Sequence, residues 1–139
     1  MSPQQQIFVN LPIADVAASR AFFSALGFQF NPQFSNDQAL CMVVSDTIFV
    51  MLLRRDFFAG FCTKPVVDAR QGTEVLLCLS RDSRAAVDRM VAQAVAAGGS
   101  VPRPPQIHGE AMYGHAFEDL DGHVWELVWM NPDAPPPQA

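Results

Sequence analysis

No apolar run in this 139-residue sequence approaches the roughly 20 residues that a helix needs to cross a bilayer. A surplus of positive charge is also missing. Nine Lys and Arg stand against 14 Asp and Glu, a formal charge of -5, with a pI near 4.9. That balance argues against nucleic acid or an anionic membrane as the main partner. Cysteine is scarce: Cys41, Cys62 and Cys78 are far apart, odd in number and in no zinc spacing. They read as reduced thiols in a cytoplasmic protein. The opening Met1-Ser2-Pro3-Gln4-Gln5-Gln6 is polar, uncharged and unlike a secretory signal. A Gly-rich phosphate loop, a Ser-His-Asp set and a Cys-X-X-Cys pair are all lacking. What is plentiful is apolar: half the residues are hydrophobic and mean hydropathy is +0.12. This composition fits one ordinary domain with a real core.

Along the chain, Ile7, Val9, Leu11 and Ile13 alternate with Phe8 and Asn10, which predicts a strand with one core-facing side. Asp15 is a good N-cap. Ala18, Phe22, Ala25 and Leu26 then fall on one helical face, and Gly27 supplies the stop. Strands are expected at Phe28–Phe34, Leu40–Val44 and Ile48–Leu53. Residues 54–72 break the pattern and read as a crossing connection with room for a short helix. The order then repeats. Glu74–Leu79 predicts a strand, and Asp82 or Ser83 caps a helix striped by Val87, Met90, Val91, Ala94 and Val95. Gly98-Gly99 stops it. A short strand near Ser100–Val101 precedes Pro102, Pro104 and Pro105, and strands at Tyr113–Glu118 and Val124–Met130 close the series. The segment from Asn131 to Ala139 holds four prolines and is expected to be disordered. Strand–helix–three strands thus occurs twice, and internal repetition is a stronger signal than any single element.

The stretch Glu118–Leu127 organises the rest. Asp121-Gly122 signals a tight turn between two strands. Val124–Met130 is almost wholly apolar, as expected of a strand covered on both faces, yet Glu126 interrupts it. An ionised carboxylate there is costly without a partner. It is paired, exposed in a cavity, or held for chemistry.

These residues resemble a known family. Asn10-Leu11-Pro12-Ile13-Ala14-Asp15, Ala21-Phe22-Phe23 and Leu26-Gly27-Phe28 are similar to the opening of glyoxalase/bleomycin-resistance/extradiol-dioxygenase proteins, the vicinal oxygen chelate superfamily. Phe117 to Leu127 resembles that family's closing strand pair. The resemblance covers about residues 6–130. It implies an α+β fold of two βαβββ modules whose curved mixed sheets form a cup. The division expected is a first module at 6–53, a connection at 54–72, a second module at 73–130 and a tail at 131–139. The resemblance also implies frequent dimerisation, and the chain is expected to be a homodimer. Metal-dependent members take one ligand from the first strand and one from the last strand of each module. Carried over, these positions fall on Phe8, on Val50 or Met51, near Glu74 or Leu76, and on Glu126. Phe, Val and Met offer no hard donor for a catalytic divalent ion. Neither a metal nor another cofactor is therefore expected.

Glu126 is the candidate for catalysis, as a general base, a substrate anchor or a vestigial ligand. The plainer reading is a strand carboxylate paired with an Arg or a backbone N–H. Phe8, Asn10, Glu74, Tyr113 and His115 are the candidate ligand-binding residues. Phe8, Asn10, Glu74 and His115 each have a structural alternative: a filled core, a satisfied amide, a solvated strand start and an uncatalytic histidine. His108 is read as part of a loop rim and His123 as exposed. Trp125 and Trp129 alternate with Glu126 and should face away from it. Cys41 and Cys78, in apolar strands, read as inert. Two functions follow. One is a binding protein that holds a small organic ligand in a largely apolar cup, without the superfamily's metal. The other is a metal-dependent lyase, isomerase or dioxygenase of the superfamily. The expected partner is a small molecule, with no role for nucleic acid or a membrane.

Overall fold

Asp15 and Ser83 place the two main helices. In the computed structural model, which describes residues 4–134, the Asp15 carboxylate accepts the Ala18 N–H at 3.0 Å. The Ser83 hydroxyl likewise accepts the Ala86 N–H at 3.0 Å. Each bond satisfies an N–H that the first helical turn would leave unpaired. Gly27 and Gly98 end the helices at φ of 95° and 108°, a left-handed conformation that costs glycine little. The chain divides after Val67 into two compact units.

The first unit runs β1 (Ile7–Ile13), α1 (Val16–Ala25), β2 (Gln29–Phe30), a 3-10 turn (Pro32–Phe34), β3 (Ala39–Val43), β4 (Ile48–Arg54) and α2 (Arg55–Ala59). Its sheet has the order β1-β4-β3-β2, with β1 parallel to β4 and the other pairs antiparallel. One face carries Leu11, Ile13, Leu40, Met42, Val50 and Leu52, all buried, and α1 adds Phe22 and Phe23 to this core. Burial of each such side chain stabilises the fold by about 1.5–3 kcal/mol. The strand expected over Phe28–Phe34 stops at Phe30. Pro32 cannot donate to a ladder, and the Asn31 side chain caps the 3-10 turn by accepting the Gln33 N–H at 3.0 Å. The expected short helix in the connection is α2.

The second unit runs β5 (Leu76–Ser80), α3 (Arg84–Ala96), β6 (Gln106–His108), β7 (Met112–Glu118) and β8 (Val124–Met130), with sheet order β5-β8-β7-β6. Helix α3 buries Val87, Met90, Val91 and Ala94, whereas Val95, at the edge of the expected stripe, is 48% exposed. The strand expected at Ser100–Val101 is a single bridge from Ser100 to Glu118. Pro102, Pro104 and Pro105 cannot extend it, and pairing resumes at Gln106. The two four-stranded mixed sheets with their helices form the expected α+β pair of βαβββ modules. Neither sheet closes on itself. Residues 135–139 of the proline-rich tail lie outside the described residues.

The turn before β8 is larger than Asp121-Gly122 alone. Asp119 and His123 face each other, with the Asp119 N–H donating to the His123 carbonyl at 3.0 Å. A three-residue loop, Leu120-Asp121-Gly122, joins them, with Gly122 at φ 88°. The buried Asp119 carboxylate holds this loop. It accepts from Asp121 N at 2.9 Å, His123 N at 3.0 Å and Trp125 Nε1 at 3.0 Å. His123, expected in solvent, is only 8% exposed, because this loop folds back. A Cβ on Gly122 would lie 2.8 Å from Arg70 Cγ and 2.9 Å from Arg70 N. Arg70 also donates through its guanidinium to the Leu120 carbonyl. Residues 69–70 thus strap the turn.

Candidate functional site

Glu126 lies in the middle of β8. Its row of the sheet places Cys78 of β5 on one side and Ala116 of β7 on the other. The next row on the same face is Ser80, Val128 and Gly114. Small neighbours on both sides leave Glu126 prominent on a face that also carries Ser80 and, opposite Val124, Glu118. It is not unpaired. The Arg103 guanidinium, delivered by the loop Pro102-Arg103-Pro104-Pro105, donates through Nη2 to Glu126 Oε2. The two side chains are 29% and 27% exposed. Of the three expectations for this carboxylate, pairing is the one observed, and an arginine is the partner. Arg103 Nη1 is buried and has no acceptor among the described residues.

Cys78, in an apolar strand as expected, is exposed beside this pair. Burial of the sulfur first, and then the Glu126 charge, push its thiol up, while Arg103 opposes them. The protonated thiol is favoured, so its chemistry is quiet despite access.

Tyr113 and His115 lie on the other face of the sheet. They pair with Trp129 and Leu127, not with the row of Glu126. The Tyr113 hydroxyl donates to Asp88 of α3, and that bond, followed by burial, pushes the phenol up. The Arg84 guanidinium sits over the Tyr113 and Trp129 rings at 5.4 and 5.5 Å. His115 Nδ1 is buried without a partner among the described residues. Burial pulls its imidazole down, against the Asp88 charge and with help from Arg103. Trp125 and Trp129 also lie on this side, as their alternation with Glu126 predicted. Glu74 precedes β5 and is an exposed loop residue outside the sheet. His108 is exposed at the end of β6.

In the first unit, Phe8, Asn10 and Pro12 share the face opposite α1 with Phe49, Met51 and Leu53. Phe8 is 48% exposed and stacks on Phe49, with centroids 4.9 Å apart and planes at 12°. Asn10 Nδ2 donates to the Phe8 carbonyl at 3.1 Å, so this exposed amide is partly engaged by its own strand.

The family described as bleomycin resistance protein-like N-terminal matches residues 5–45. None of the curated proteins matches the chain. Among solved structures, a hypothetical protein from S. aureus is 27% identical, with a TM-score of 0.76, covering 92% of this chain and 95% of that one. A glyoxalase-related enzyme from Fulvimarina pelagi is 24% identical, with a TM-score of 0.77, covering 96% and 92%. A glyoxalase/bleomycin resistance protein/dioxygenase family enzyme from Burkholderia phytofirmans PsJN is 20% identical, with a TM-score of 0.75, covering 92% and 100%. The chain has the glyoxalase/bleomycin-resistance fold.

Carried over by the resemblance, the superfamily's metal-ligand positions fall on Phe8, Val50 or Met51, Glu74 or Leu76, and Glu126. Val50, one of the two candidates for the first module's last-strand position, is 2% exposed in the core under α1. Met51 and Phe49 are the residues on the Phe8 face. In the second module Leu76 and Cys78 share the Glu126 face, and Glu126 itself is held by Arg103. Among the described residues, no group of three or more His, Cys, Asp or Glu side chains is placed to hold a metal ion. A phenyl ring, a valine or thioether, a leucine and an arginine-bound carboxylate do not fit a hard divalent cation, and Glu74, the other candidate donor, is an exposed loop residue. No helix among the described residues is long and apolar enough to cross a membrane.

Proposed function

We propose that this chain is a small-molecule binding protein of the glyoxalase/bleomycin-resistance type that works without the superfamily's metal. The pairing of Glu126 with Arg103 carries the proposal. A carboxylate at the superfamily's ligand position has an organic cation in its own chain, so its charge is already met. The Phe8–Phe49 stack supports the same reading, because a half-exposed aromatic pair offers apolar contact and little acid–base chemistry. Free thiols at Cys41, Cys62 and Cys78 support a place in the cytoplasm, and the charge of -5 disfavours nucleic acid and anionic membranes.

The full chain, purified without chelator, should carry well under one equivalent of Ni, Zn, Fe or Mn by elemental analysis. It should bind the neutral apolar dye Nile red while folded. One firmly bound metal per chain that is lost on Glu126→Gln would overturn the reading. We also propose a homodimer, since an apolar content of 50% in so small a chain leaves surface needing cover. Light scattering should give about twice the 15.2 kDa of one chain, and a clean monomer across a dilution series removes that claim.

A further inference from the structure

We infer that the polar end of the ligand is a neutral amide-type group, and that the Arg103–Glu126 pair selects it. This rests on the ligand-binding reading above and names the chemistry of the ligand.

A guanidinium has five N–H donors and a carboxylate about four acceptor sites. Among the described residues, the pair uses one bond between its own members. Nη1 of Arg103 has no acceptor. The guanidinium, 29% exposed, keeps N–H groups other than the buried Nη1 on one side of the pair, and the carboxylate keeps acceptor capacity on the other. An amide edge offers a carbonyl and an N–H side by side and matches both. There is room beside the pair, because Cys78 and Ala116 flank Glu126, and Ser80 and Gly114 flank Val128. A Cβ built on Gly114 would meet nothing nearer than the Leu127 carbonyl oxygen at 3.5 Å.

Charge argues for a neutral group as well. The pair sums to zero. A ligand carboxylate would set a second negative charge beside Glu126 on a chain whose net charge is already -5. An amidinium would compete with Arg103 for Glu126 and leave the half-buried guanidinium without its counterion. A neutral amide meets neither penalty.

Benzamide, benzoate and benzamidine share one ring and differ in charge, so they separate these cases. They are titrated into the full chain at pH 7.5, with binding read by calorimetry or ligand-observed NMR. Benzamide should bind at least about fivefold more tightly than either charged analogue, the worth of one ordinary hydrogen bond. The double variant Arg103→Met/Glu126→Met removes both charges together and strands neither. With its circular dichroism unchanged, it should lose the preference for benzamide. Equal or tighter binding of benzoate or benzamidine overturns the inference, as does a double variant that keeps the preference. Nile red separates the two levels of failure. If the dye binds and benzamide is not preferred, the amide inference falls alone. If neither dye nor fragment binds, the ligand-binding reading falls with it.

Discussion

Breaking the Arg103–Glu126 pair should cost stability, and the cost can be bounded. Two unit charges about 4 Å apart attract by about 4 kcal/mol at an effective dielectric of about 20. Most of that is cancelled by desolvation and by ordering two long side chains. Fully exposed pairs retain about 0–1 kcal/mol, and breaking a fully buried one costs about 3–5 kcal/mol. With 29% and 27% exposure, this pair lies between. Glu126→Gln should therefore destabilise by about 1–2 kcal/mol, and Arg103→Met by a similar amount. The double variant should cost less than the sum, with a coupling energy of about 1–2 kcal/mol. Urea unfolding of all four proteins at pH 7 gives the cycle, and 1 M salt should shrink the coupling only in part. A coupling below about 0.3 kcal/mol would refute the pairing as an energetic feature and reopen Glu126 as a free carboxylate.

Asp119→Ala should cost about 3 kcal/mol in the same assay, because it leaves Asp121 N, His123 N and Trp125 Nε1 without their acceptor; a loss under about 1 kcal/mol would contradict the turn. His115 has an imidazole pulled below its usual value, near 6.5, by burial. Its folded form resists the proton that the unfolded chain accepts. Its contribution is therefore complete above about pH 6.5 and is lost as pH falls from there through the folded value. His115→Leu should flatten stability against pH between about 6.5 and 5, and an unchanged slope would count against it. Glu126 helps to push the Cys78 thiol up and Arg103 opposes it. In a Cys62→Ser background, Glu126→Gln should move the pH profile of Cys78 alkylation down and Arg103→Met should move it up; shifts of the reverse sign would place the thiol elsewhere.

Most of the fold was legible because its signals are local. Alternation in Ile7–Ile13, the caps at Asp15 and Ser83, and the stops at Gly27 and Gly98 each act within a few residues. The candidate site was less legible, and one residue of loop length explains much of the difference. A two-residue Asp121-Gly122 turn would set Leu120 opposite His123 and His115 opposite Val128, which puts His115 on the Glu126 face. The observed three-residue loop sets His115 opposite Leu127 instead, and a one-residue slip sends every side chain of a strand to the other face. The cause is Asp119, whose carboxylate gathers three N–H groups around the longer loop. Arg103 was missed for a different reason. Its partner is 23 positions away, and nothing in Pro102-Arg103-Pro104-Pro105 marks it beyond a cation fixed between prolines. The exposure of Cys78 was not legible, because a sequence of apolar neighbours does not say which face is covered.

The Arg70 strap also acts in time. The turn before β8 can form by itself within microseconds, as short hairpins do. Its tie to residues 69–70 spans 50 positions and must wait until the two ends of the unit meet. Contacts that form after the folding barrier govern how slowly the native state opens rather than how fast it is reached. We predict that the strap acts as a kinetic latch on the last hairpin, so that Arg70→Ala raises the unfolding rate and leaves the folding rate unchanged; a slowed folding rate would refute it. A second half excised from residue 73 onward would fold at nearly the same rate and come apart sooner, whereas one begun at Asp68 would keep its lifetime.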